Sequence, residues 1–166
     1  MKTSTEIGSA ARKIGEERVV EYVAKAGFDA WDFSMFDMCK IDWKTKLPIQ
    51  DENPLNGTGY LNFARKLKTI GLDNGIVCNQ SHAPFPVAVP AVRSYLKRAI
   101  ECTAEAGGEI CIIHPDNDKN AEQNAEIEAI IANTATPDFE NTILALDNSG
   151  QLLNKVAYVF FALSES

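Results

Sequence analysis

A chain of 166 residues is long enough for one domain with a sizeable core. Its composition, 45% hydrophobic and 23% charged, is that of an ordinary soluble globular protein. A net charge of −7 argues against binding to nucleic acid, because phosphate-backbone recognition rests on clustered Lys and Arg.

The opening "MKTSTEIGSAARKIG" contains no apolar stretch of the kind a signal peptide needs. Within it "TSTEI" is a short strand candidate. The segment "SAARKIGEERVVEYVAKAG" follows with Ile14, Val19, Val20, Tyr22 and Val23 at helical spacing, and Gly27 is a stop. "FDAWDFSMF" reads as a second strand, and residues 37–56 as a polar loop punctuated by Pro48 and Pro54. "GYLNFARKLKTIG" is helical and is expected to end at Gly71; "NGIVCNQSH" is a third strand. Three prolines keep "APFPVAVP" out of regular structure.

"AVRSYLKRAIECTAEAGG" is the next helix, closed by Gly107 and Gly108. "EICIIHP" is a fourth strand, and its nearly continuous apolar run suits a strand buried on both faces of a parallel sheet. "NAEQNAEIEAIIAN" is a fourth helix with Asn120 as its cap. Strand and helix thus alternate four times, and parallel strands joined in this way form an α/β sheet. The rhythm then stops. From Asp138 onward, Ile143, Leu144, Leu146, Leu152, Leu153, Val156, Val159, Phe160 and Leu163 make a broad apolar stripe. It reads as one bent helix or as two helices parted at Gly150; "YVFF" alone has the alternative of a strand. No run of about 18 apolar residues marks a membrane span, and the expected compartment is the cytoplasm. Cys39, Cys78, Cys102 and Cys111 lack CxxC spacing and read as buried, reduced thiols.

In parallel α/β folds the ligand lies at the carboxyl ends of the strands. Here those ends carry Glu6, Asp32 with Ser34, Gln80 with Ser81 and His82, and His114 with Asp116. The chain has two histidines, and both follow an apolar strand and precede a proline-bearing loop. Such a histidine is either a hydrogen-bonded structural residue or a ligand for zinc or manganese, with neighbouring carboxylates completing the site. Glu6, Asp32 and Asp116 are the candidates for that supporting role; Glu6 and Asp32 also read as solvated or helix-capping residues. No P-loop, GxGxxG, HExxH or GxSxG motif occurs.

Residues 1–125 resemble the xylose isomerase-like TIM-barrel family, the sugar phosphate isomerases and epimerases together with endonuclease IV. The likeness is carried by "STEIGSAARKIGEERVVEYVAKAGFDAWDFSMFDM", "GLDNGIVCNQSHAPFP" and "AIECTAEAGGEICIIHPDND". It implies a sugar or sugar phosphate as small-molecule partner, and proton transfer through an enediol assisted by a divalent metal. In the endonuclease IV branch the histidines after the third and fourth strands bind zinc, and they fall on His82 and His114. The sugar isomerase branch draws its metal ligands and catalytic carboxylates mainly from the fifth to eighth strands. Neither those strands nor the family's strand-five glutamate has a counterpart here, so any zinc or manganese is expected to bind weakly or not at all.

Residues 126–166 are similar to something else. "PDFENTILAL" followed by "SGQLLNKVAYVFF" resembles the N-terminal helical region of dipeptidyl carboxypeptidases, zinc peptidases of the thimet oligopeptidase family. That family's HExxH helix is absent, so peptidase activity is not expected. The stretch "NAEQNAEIEAIIANTATPDFENTI" then reads as a seam between two gene fragments, natural, engineered or misassembled. The expected architecture is half of a (β/α)8 barrel, four βα units, followed by a helical C-terminal segment. Two functions are implied: a truncated sugar isomerase or epimerase, or a non-catalytic fusion whose tail serves packing or interaction. The exposed edges of an open sheet favour pairing into a homo-oligomer.

Overall fold

The computed structural model describes residues 1–85, 89–114, 119 and 122–124, together with the backbone of 143–146. The chain runs β1 (Ser4–Glu6), α1 (Gly8–Ile14), α2 (Glu16–Lys25), β2 (Ala30–Ser34), a hairpin of β3 (Ile41–Asp42) and β4 (Leu47–Pro48), and α3 (Tyr60–Asp73). It continues through β5 (Val77–His82), α4 (Arg93–Ala106), β6 (Ile110–Ile113) and β7 (Ile143–Leu146). The main sheet has the order β1-β2-β5-β6-β7 among the described residues, and every pairing in it is parallel. This is the α/β partial barrel expected from the fourfold alternation of strand and helix.

Period-two alternation separates the two faces of the sheet. In β2, Trp31 and Phe33 are fully buried and join the apolar cluster of the helix layer, with Val19, Val20, Leu67, Leu96 and Ile100. Each such side chain, fully buried, contributes roughly 1.5–3 kcal/mol. Asp32 and Ser34 point the other way and make the inner face polar. Ser81 of β5 turns outward and meets Thr103 of α4 at 2.5 Å. In β6, Cys111 and Ile113 are buried, whereas Ile110 and Ile112 are only half-buried. The apolar run "ICII" therefore marks full burial only for Cys111 and Ile113, while Ile110 and Ile112 keep part of their surface exposed.

Four local expectations are revised. The helix expected over residues 9–27 is two helices, broken at Gly15, whose φ of +83° only glycine adopts readily. Gly71 does not end α3, which runs on to Asp73. A Cβ at Gly71 would lie 3.0 Å from Trp31 Nε1 and 3.1 Å from the Ile76 carbonyl, so glycine here lets the helix approach the sheet. The loop over 37–56 carries the small β3–β4 hairpin and a 3-10 turn at Pro54–Asn56, capped by the Asn53 side chain. Finally, Ile143–Leu146 is not helical. It forms β7, paired in register with Ile110–Ile113. "ILAL" suits a strand beside "ICII", because the open edge of β6 offers a ladder of backbone hydrogen bonds that outweighs the helical period of the surrounding sequence. The rest of the helical segment expected over 126–166 lies outside the described residues, as do Asp116 and most of the 120–143 seam.

Candidate functional site

The parallel sheet brings the carboxyl ends of β1, β2, β5 and β6 together. A register shift between Trp31 and Asp32 sets Asp32 opposite Gln80 and Ser34 opposite His82, while Glu6 faces Asp32 from β1. Three strands thus contribute to one polar row.

Asp32 is 4% exposed, and a carboxylate so buried needs partners for both oxygens. Oδ2 accepts a hydrogen bond from Gln80 Nε2 at 2.6 Å, and Oδ1 lies 3.0 Å from His82 Nδ1. With a carboxylate as acceptor the proton sits on Nδ1, which makes Nε2 the basic nitrogen of the neutral ring. Asp32 is therefore neither solvated nor a cap; it orients His82.

The His114 ring lies beside His82, with centroids 5.8 Å apart. It also meets Phe36 and Phe85 edge-on, at 5.5 and 5.9 Å, and these two phenyl rings stack on each other at 5.5 Å. Both sequence-predicted histidines consequently share one wall with an aromatic pair from the loops after β2 and β5. Sequence reasoning missed Phe36 and Phe85, which lie in the loops that follow β2 and β5.

Glu6 is exposed and accepts the Gly8 backbone N–H at 2.5 Å, so it caps the start of α1. A Cβ at Gly8 would sit 2.5 Å from that carboxylate and 2.6 Å from Ser34 Oγ, which is why glycine follows β1. Glu6 and His82 line one small cavity, and it runs into a larger one of about 770 Å³. The two share Gly8, Arg12, Ser34, Phe36 and Asp37. Arg12 is held by Asp37 at 2.5 Å, and Lys40, on the same wall, by Asp51 at 2.9 Å. The Cys39 thiol in that wall is pushed up to about 11, first by burial and then by the Asp51 charge, so it is a neutral thiol at physiological pH.

His82 and Glu6 thus line one cavity, with the buried Asp32 behind His82 and His114 one ring away. Asp116 lies outside the described residues. Among the described residues, no group of three or more His, Cys, Asp and Glu side chains is arranged to hold a metal ion. Zinc takes four ligands, so the described residues do not fit a complete metal centre.

No protein-family model matches the chain. The dipeptidyl carboxypeptidase of Salmonella typhimurium (strain LT2) is 49% identical over 55 residues, covering 32% of this chain and 8% of that protein. The dipeptidyl carboxypeptidase of Escherichia coli (strain K12) is 56% identical over 43 residues, 26% of this chain and 6% of that protein. The chain spans less than a tenth of the length of these curated relatives. Among solved structures, a sugar phosphate isomerase/epimerase from Parabacteroides distasonis ATCC 8503 superposes with a TM-score of 0.48 at 17% identity, covering 87% of this chain and 50% of its own. A D-psicose 3-epimerase in the presence of D-fructose gives a TM-score of 0.46 at 14% identity, covering 80% and 45%. Over a short segment the chain is similar in sequence to dipeptidyl carboxypeptidases, one of the resemblances read from its sequence.

Proposed function

We propose that the strand-end cavity binds a small sugar or sugar phosphate, with His82 as its proton-handling group, in the manner of an isomerase or epimerase. The observation that carries this reading is the buried Asp32, which fixes His82 through Nδ1 while Gln80 holds its other oxygen. A ring so held can take the proton from the carbon beside a sugar carbonyl; the C–H pair becomes the C=C bond, the carbonyl π pair moves onto oxygen, and the resulting enediolate takes a proton from water to become the enediol. No step is assigned to a metal, because the described donors do not complete a shell. Zinc or manganese would bind weakly, through His82 and His114.

A ketose incubated with the protein in D2O tests the catalytic part. Exchange of the carbon-bound proton, followed by NMR, is expected in the parent protein and is lost in His82→Ala. No exchange above buffer, with or without added Mn²⁺, would remove the catalytic reading. Calorimetry with Zn²⁺ is expected to show weak binding that either His82→Ala or His114→Ala abolishes; unchanged affinity in both would make the histidines structural.

A second reading is favoured by one observation. Strand β7 lies within residues 126–166, the stretch whose sequence reads as peptidase-like, and pairs with β6 along its whole length. On this reading the tail contributes packing alone, and the protein is a non-catalytic fusion. Lack of exchange together with an intact sheet would select it.

A further inference from the structure

The charges around the cavity bear on which sugars it can take. We infer that the ligand of this site is an uncharged sugar and not a sugar phosphate; the inference rests on the sugar-site reading above. A phosphate group needs cations or backbone N–H groups with capacity to spare. Among the described lining residues the cations are Arg12 and Lys40, and each is already paired with a carboxylate. Arg12 pairs with Asp37 at 2.5 Å and also donates to Ser9 Oγ at 3.2 Å; Lys40 pairs with Asp51 at 2.9 Å. The N–H that opens α1 is taken too, because Gly8 donates to Glu6.

The remaining charge among the described lining residues is negative. Glu16 faces the larger cavity and Glu6 the smaller, and the buried Asp32 stands behind His82. A phosphate dianion entering here would meet these carboxylates or displace Asp37 or Asp51 from an existing ion pair. The net charge of −7 adds long-range repulsion. An uncharged sugar meets the opposite situation. Its hydroxyls donate to carboxylates, which are strong acceptors, and its C–H faces pack on apolar rings. Phe36, Phe85 and the 62% exposed Trp43 all line the larger cavity.

The test measures binding of D-fructose and of D-fructose 6-phosphate to the full chain by ligand-observed NMR at matched ionic strength. The free sugar is expected to bind at least about tenfold more tightly than its phosphate ester. Asp37→Asn, which releases Arg12 at a surface position, is expected to narrow that gap, with the melting temperature confirming an intact fold. Equal or tighter binding of the phosphate ester would overturn the inference and leave the sugar site standing. An unchanged gap in Asp37→Asn would also overturn it, since the ion pair would then not set the preference. If neither sugar binds the parent protein, the sugar-site reading fails, and the inference with it.

Discussion

Asp32 illustrates how much one residue can settle. Its burial would be costly for a lone carboxylate, and two hydrogen bonds offset the cost. Asp32→Ala leaves Gln80 and His82 without their shared acceptor and is expected to cost about 2 kcal/mol in urea unfolding. Asp32→Asn is expected to cost less, because the amide keeps the shape. It presents an N–H where the carboxylate accepted, however, or holds the wrong imidazole tautomer. Proton exchange on the sugar is therefore expected to fall about 100-fold in Asp32→Asn. Retention of full exchange would show that His82 does not depend on Asp32. Much of this site was legible at residue level, since His82, His114, Glu6 and Asp32 all follow from their place at strand ends. The links between them were not. They join residues about fifty positions apart and depend on a one-residue register shift after Trp31, which no local pattern announces. The loop residues Phe36 and Phe85 escaped for the same reason.

At the scale of elements, helical and strand periods predicted type well and boundaries less well. The glycines show why. Gly107 ends α4 in the left-handed conformation, as expected, but Gly71 lies inside α3, where its lack of a side chain serves Trp31. A sequence signal for "stop" and one for "close approach" look alike. The layer between sheet and helices also makes a testable statement about pH. Burial first, and then the Asp32 charge, pushes the Cys78 thiol from 9.0 up to about 12. Burial first, and then its bond to Glu101 at 2.5 Å, pushes Tyr60 from 10.0 up to about 12. Cys102 on α4 is shifted the same way, by burial first and then by Glu101. Each group is therefore more easily deprotonated in the unfolded chain than in the fold. The stability they contribute is complete below pH 9.0 and is lost as pH rises from there toward about 12. The unfolding free energy from urea titrations is expected to be flat between pH 7 and 8 and to fall above pH 9, by up to about 1.4 kcal/mol per pH unit for the buried Cys78 and by less for Tyr60. Cys78→Ala with Cys102→Ala should flatten part of that fall. A midpoint that holds to about pH 11 would mean that these groups are hydrated in the fold.

For the whole molecule, the question is what closes a sheet that curves like part of a barrel. A parallel sheet with an uncovered edge invites pairing with other chains. Among the described residues β1 forms one edge of the sheet, and the other would be β6 without β7. Instead β7 extends the ladder through Ile110↔Ile143 to Ile113↔Leu146. The fourfold alternation made the half barrel legible, because each βα unit is local in sequence. The fifth strand was hidden because its partner lies about thirty residues upstream, and "ILAL" fits a helical stripe equally well when read alone. If β7 protects the edge, removal of residues 125–166 exposes the Ile110–Ile113 backbone along with the half-buried Ile110 and Ile112. The shortened chain is expected to aggregate or dimerise, seen by light scattering after size exclusion, and to lose amide protection along β6. Replacing Leu144 by Pro in the full chain removes one ladder hydrogen bond without shortening the protein, and it should loosen β6 in the same way. If both variants keep the parent's solution mass and β6 protection, the tail makes no contribution to the sheet, and its union with the half barrel has no structural consequence.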